Sequence, residues 1–127
     1  MIVRKLEEMA ARTVEGATWK SRRLLLRGDG MGFSMHDTVL YAGTRTEMHY
    51  KHHLEAVYCI EGRARIFEVR TGKVHEIEPG TLYALDEHDH HVLEAVTDFR
   101  CVCVFNPPLV GPETHGPDGA YPLLEED

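Results

Sequence analysis

At 127 residues, with 43% apolar and 28% charged side chains, the chain has the make-up of one globular domain and excludes a disordered or fibrous protein. A net charge of -7, with no Lys/Arg run longer than Arg22-Arg23, excludes a phosphate-binding surface for nucleic acid. No window approaches the ~18 consecutive apolar residues of a membrane-spanning helix. Charges also interrupt the opening MIVRKLEEMAAR where an export signal would be apolar, so the expected location is cytoplasmic.

The first twelve residues place Ile2, Leu6 and Met9 at near-helical spacing, which predicts a short strand running into a helical turn, with helix confined to this part. Residues 13–20 are polar, contain Gly16 and read as a loop. In WKSRRLLLR, Leu24 to Leu26 read as a short apolar strand. Trp19, Ser21 and Arg23 fall on one strand face, with Trp19 suited to a core and Arg23 to a solvated surface. Gly28-Asp29-Gly30 reads as a hairpin turn. The segment FSMHDTVLY (33–41) alternates, setting Ser34, His36 and Thr38 opposite Phe33, Met35 and Val39.

Gly43 to Gly62 follows the pattern G-x5-H-x-K-x3-E-x6-G, with His49, Lys51 and Glu55 at the marked places. It reads as strand, turn, strand, with ligand-type side chains on one side of a sheet and Glu55, Val57 and Cys59 sharing a face. Beyond it, 63–69, 74–77, 81–85 and the segment from Asp98 through FRCVCVF read as strands, parted by turns at Glu61-Gly62, Thr71-Gly72 and Pro79-Gly80. Five of the six prolines lie at or beyond Pro107, so residues 106–127 are expected to be an irregular tail that wraps or lids the rest. Many short strands between Gly and Pro turns predict an all-β small barrel or sandwich, one domain over 1–127.

A second histidine-rich run, G-x5-D-x-H-x2-H, spans Gly80, Asp86, His88 and His91. Imidazole, carboxylate and phenol donors without an obligatory thiolate suit iron(II), manganese or zinc, with iron favoured. Each of His49, His52, His53, His88 and His90 is equally compatible with a plain surface position. Cys59, Cys101 and Cys103 are odd in number and lack C-x-x-C spacing, which predicts buried free thiols.

The two glycine-bounded runs resemble the paired cupin motifs, with Gly43, His49, Glu55 and Gly62 in register. Lys51 replaces the second histidine of the first motif, and Asp86 and His88 replace the proline and glycine of the second, leaving Glu55 and His91 as the matching ligand positions. More narrowly, WKSRRLLL, DGMGFSMHDT, YAGTRTEMHYKHHLEAVYCIEG, PGTLYALDEHDHH and CVFNPPLVG resemble the ectoine synthases over nearly the whole chain.

That resemblance implies a cupin barrel and a metal-dependent hydro-lyase closing N-γ-acetyl-L-2,4-diaminobutyrate to ectoine, and it implies a homodimer. It implies iron held by Glu55, Tyr83 and His91, with zinc or manganese as alternatives, and Tyr50 and His53 of the first run are candidates to support or replace a ligand. It places substrate contacts at Trp19, Ser21, Arg23, Thr38, Cys103 and Phe105, and catalytic work at Glu113, His115 and Tyr50, with Glu113 or His115 taking the ammonium proton. Two other classes fit the residues less well. A non-catalytic small-molecule-binding cupin has no need of Glu113 and His115, and a cupin dioxygenase would keep the H-x-H pair.

Overall fold

The computed structural model describes residues 1–124. Ten strands run in chain order: β1 (Thr13–Glu15), β2 (Trp19–Leu25), β3 (Ser34–Leu40), β4 (Arg45–Met48), β5 (Leu54–Glu61), β6 (Ala64–Glu68), β7 (Val74–Ile77), β8 (Leu82–Leu85), β9 (His91–Ala95) and β10 (Phe99–Asn106). They form a six-stranded sheet in the order β1-β2-β3-β10-β5-β8 and a four-stranded sheet in the order β4-β9-β6-β7. Every pairing is antiparallel.

Alternation builds the interior directly, because successive side chains point to opposite faces of a strand. Along β10, Phe99, Cys101, Cys103 and Phe105 are buried and the residues between them are not. Along β5 the buried set is Glu55, Val57 and Cys59. Met48, Ile66, Ile77 and Leu93 come from the four-stranded sheet, and the two inward faces share one core. The three cysteines are free and buried within it.

The motif from Gly43 to Gly62 departs from its sequence reading. Its strands do not pair with each other: β4 joins β9 in one sheet, while β5 joins β10 and β8 in the other. The chain crosses between sheets at His49–His53, so this stretch is a corner of the barrel. Gly62 closes the far end with φ 84°, and a Cβ there would stand 1.9 Å from the Asp98 carbonyl oxygen.

Other elements differ from expectation for local reasons. Residues 2–5 form no strand, and the helical turns are two 3-10 turns, Leu6–Glu8 and Ala10–Arg12. The expected loop at 13–20 contains β1, an edge strand whose polar residues take their order from pairing Thr13 opposite Arg22. The expected hairpin turn at 28–30 is a third 3-10 turn, Arg27–Asp29, so helical turns are not confined to the N-terminus. Asp29 organises it by accepting hydrogen bonds from Arg4, Arg12 and the Leu26 backbone N–H. The strand placed at Leu24–Leu26 runs instead from Trp19 to Leu25, with its Trp19–Ser21–Arg23 face turned inward. Arg23 is therefore not on a solvated face; it is 0% exposed.

After Asn106 the described tail is irregular. It lies against the barrel through Leu109 and Tyr121, both core residues. Residues 125–127 of the expected tail lie outside the described residues. No described helix is long and apolar enough to cross a membrane.

Replacing Gly62 with alanine adds a methyl where a carbonyl already stands, on a left-handed backbone. Gly62→Ala is expected to lower unfolding free energy by about 2 kcal/mol or more, measured by urea denaturation.

Candidate active site

Between the sheets, beneath the tail, lies a cavity of about 30 Å³, room for roughly one or two waters. Trp19 and Ser21 of β2 and Thr38 of β3 form one wall; Cys103 and Phe105 of β10 and Glu55 of β5 form the next. Tyr50, from the corner between β4 and β5, and Tyr83, on β8, complete the barrel side. The tail supplies the roof with His115 and Tyr121. Nine of the residues singled out in the sequence thus face one space.

The roof is an aromatic stack. Tyr121 lies 4.5 Å from the His115 ring and 5.2 Å from the Tyr50 ring, centroid to centroid, both nearly parallel. Trp19 and Phe105 meet Tyr121 edge to face. The Tyr50 hydroxyl and His115 Nε2 are 2.8 Å apart. Burial pulls His115 down to about 4, helped by the nearby positive charge of Arg23, so its imidazole is neutral near pH 7.

Arg23 and Glu113 stand behind this wall and fasten the tail to it. Arg23 donates from Nη1 to the Gly111 carbonyl at 2.6 Å and from Nε to Ser21 Oγ at 3.3 Å. Its guanidinium sits 5.5 Å from the Tyr121 ring centroid, a cation–π arrangement. Glu113 approaches Arg23 at 3.9 Å and accepts the Val110 and Gly111 backbone N–H groups at 2.7 Å each. Arg23 Nη2 is buried without a partner.

His91 reaches the site from the other sheet. Its ring centroid is 6.2 Å from that of Tyr50. With Tyr83 it also lines a second, open cavity of about 600 Å³ beside β6 and β7. His91 Nδ1 donates to the Asp89 carbonyl at 2.9 Å, which leaves Nε2 as the lone-pair nitrogen; that atom is buried and has no partner. Burial pushes the Glu55 carboxyl well above its ordinary range, with the Cys103 thiol acting in the same direction. Tyr83, half-buried against the core, is pushed up by burial and then by Glu55. Among the described residues, no three His, Cys, Asp or Glu groups converge at metal-ligand spacing.

Three features were missed or left open by the sequence. Tyr121 was not singled out, because nothing periodic marks it in a Pro-rich tail. His53 is buried, with Nδ1 unpartnered, rather than at the surface like His52. His36 is the third: Ser21 Oγ lies 3.3 Å from His36 Nδ1, His36 Nε2 lies 2.9 Å from Ser34 Oγ, and Ser34 Oγ accepts the Leu109 backbone N–H at 3.0 Å. This chain of bonds ties a cavity wall to the root of the tail. The polar alternation Ser34–His36–Thr38 was its only signal. His49 stacks on His90 at 4.9 Å, and His88 lies 2.8 Å from the Tyr50 carbonyl through Nδ1.

Comparison with known proteins points one way. The family model for ectoine synthase matches residues 1–125. The L-ectoine synthase of Desulfatibacillum aliphaticivorans is 55% identical, covering 99% of this chain and 100% of that protein. That of Halalkalibacterium halodurans is 54% identical over the full length of both. The crystal structure of ectoine synthase from P. lautus superposes with a TM-score of 0.84 at 54% identity, covering 87% of this chain and 81% of that one. A cupin 2 conserved barrel protein from Salinispora arenicola, 20% identical with a TM-score of 0.67 over 83% of this chain and 87% of that one, shares the fold.

Burial holds His36 down to about 3, with Arg23 and His53 adding repulsion, whereas an unfolded histidine titrates near 6.5. The unfolded chain therefore binds the extra proton first as pH falls, and stability drops from about pH 6.5 downward. The thermal midpoint is expected to fall over this range and to fall less steeply in His36→Gln, measured by calorimetry across pH 7 to 4.

Proposed function

The chain belongs to the ectoine synthase family, and we propose that the family's reaction takes place in the tail-covered cavity with a metal ion held by Glu55, Tyr83 and His91. The activity is that of a hydro-lyase. N-γ-acetyl-L-2,4-diaminobutyrate closes to ectoine, a compatible solute that counters osmotic stress, and one water is lost.

The observation that carries the metal assignment is the Nε2 lone pair of His91, buried and unpartnered, in a cavity that Tyr83 also lines, with the buried Glu55 carboxyl acting on Tyr83 from the other side. That donor set fits iron(II) best, with zinc or manganese as alternatives. When bound, such an ion supplies Lewis acidity toward the acetamide carbonyl oxygen. The chain's own residues do the rest.

Cyclisation needs the α-amine held against the acetamide carbon in a folded pose. Arg23 Nη2, buried and unsatisfied, is the donor assigned to the substrate carboxylate; its Nη1 and Nε are already engaged. Trp19 and Phe105 wall the chain of the substrate, while Ser21, Thr38 and Cys103 offer small polar contacts along it. The cation–π capacity of Trp19 and Tyr50 suits the ammonium group.

His115 is the base assigned to the ammonium proton. It faces the cavity and shares a hydrogen bond with Tyr50, whereas Glu113 is committed to two backbone N–H groups and Arg23. The desolvation that lowers His115 also lowers the substrate ammonium, so burial does not oppose transfer between them. The Tyr50 hydroxyl is the donor assigned to the departing oxygen, supported by its 2.8 Å contact with His115. The tail must swing aside for substrate, because the closed cavity has room for roughly one or two waters. Its closure keeps bulk water from reversing the dehydration.

We also assign a homodimer and a cytoplasmic location. The outer face of the six-stranded sheet exposes Leu54, Tyr58 and Leu82 at 40%, 46% and 62%, an apolar surface suited to a second copy.

Protein loaded anaerobically with iron(II) is expected to convert N-γ-acetyl-L-2,4-diaminobutyrate to ectoine, followed by chromatography. Glu55→Ala and His91→Ala should each lose both bound iron and turnover. Full iron stoichiometry in either variant would overturn the ligand assignment. For the base, His115→Ala should lower kcat by about 10²–10⁴, while Glu113→Gln should act mainly on KM through the tail. Near-normal kcat in His115→Ala, read from steady-state kinetics, refutes the assignment.

A further inference from the structure

Cys101 has no part in the chemistry above, and its position is specific. It lies two residues from Cys103 on β10, so both thiols point to the same side, into the closed cavity. Their sulfurs are 3.6 Å apart. Cys59 faces Cys101 across the β5–β10 ladder, but its thiol lies 3.7 Å from each of the Glu61 and Gly62 carbonyls at the strand end. The cavity is therefore lined by two of the three thiols.

The spacing selects what these two can hold. A disulfide is a poor match: residues two apart on an extended strand have Cα atoms separated by roughly 6.6 Å, near the upper limit for that bond. A shared ion is a good match. Two sulfurs 3.6 Å apart, each at the ~2.3 Å length of a zinc–thiolate bond, subtend roughly 100° at the ion, close to tetrahedral. A linear two-coordinate ion would need the sulfurs about 1 Å further apart, twice the bond length.

We propose that Cys101 and Cys103 form a chelating dithiol site for a borderline-soft divalent cation of the zinc or cadmium class, inside the substrate cavity, next to Glu55 but using a donor pair distinct from Glu55, Tyr83 and His91. Binding forms two metal–sulfur bonds and releases two thiol protons to solvent; no electron is transferred and no oxidant is required. Water completes the coordination, within the roughly 30 Å³ that the cavity leaves free. Donor softness sorts the ions, since thiolates favour zinc and cadmium while carboxylate, phenolate and imidazole suit iron or manganese. An ion on the dithiol occupies space that substrate needs, so it arrests turnover without expelling the other metal.

The test uses the iron-loaded full chain, titrated anaerobically with cadmium chloride in a thiol-free reductant. Sulfur-to-cadmium charge-transfer absorption reports thiolate ligation alone, and elemental analysis reports the stoichiometry of both metals. Wild type and Cys59→Ala are expected to take up one cadmium per chain with the absorption band, to keep their iron and to lose turnover. Cys101→Ala and Cys103→Ala should lose the band, and each should retain a larger fraction of its own uninhibited rate at one equivalent of cadmium. Circular dichroism checks folding, and serine replacements at the same positions serve if an alanine variant fails to fold. A band that survives either substitution, a wild type without one, or cadmium uptake only in exchange for iron would each overturn the proposal.

Discussion

The guanidinium of Arg23 joins two parts of the molecule that have little else in common, a regular barrel wall and an irregular tail. A charge that is 0% exposed needs partners, and the barrel alone gives it Ser21. The remaining contacts come from the far end of the chain: the Gly111 carbonyl, Glu113 and the face of Tyr121. The tail lies where it does because that is where the charge is satisfied. Removing one partner of a buried pair of this kind costs about 3–5 kcal/mol, because the other charge is left buried without compensation. The roof over the cavity follows from it, since His115 and Tyr121 flank the fastening point.

The Ser21–His36–Ser34 chain does for geometry what Arg23 does for charge. It runs along the inward faces of β2 and β3 and ends on the Leu109 backbone, next to the Asn106–Pro107 cis bond where the tail leaves β10. Arg23 and His36 sit close enough that the guanidinium depresses the imidazole, so His36 stays neutral and serves as donor and acceptor at once. Both groups are polar and fully buried, and neither lines the cavity while the tail covers it. They hold the wall still so that its lining residues keep their positions.

Much of the barrel was legible because its information is local. The alternation in LEAVYCIEG and FRCVCVF named the inward faces of β5 and β10, and turn glycines marked most strand ends. What could not be read depends on partners distant in sequence. Arg23 looks like a surface residue until Gly111 and Glu113 are brought 88 and 90 residues along the chain to meet it. The 3-10 turn at Arg27–Asp29 resembles a hairpin turn until Arg4 and Arg12 converge on Asp29. β1 is too short and polar to announce itself without β2 beside it. In the tail no periodicity separates Tyr121 from its neighbours, so an aromatic that touches five of the site's side chains carried no signal at all. The assignment of Glu55, Tyr83 and His91 rests on motif resemblance; spacing alone left the histidines of both runs open.

The division between wall and roof also sets an order of assembly. Every residue assigned to a metal, and both cavity thiols, precede Asn106, while the groups that seal the cavity follow it. Before the tail is captured, the barrel therefore presents its ion-binding side chains to solvent. An ion can enter by diffusion at that stage and be enclosed afterwards, without a channel through the finished protein. The second cavity, which reaches Tyr83 and His91 from the β6–β7 side, then offers a route for exchange once the tail has been captured.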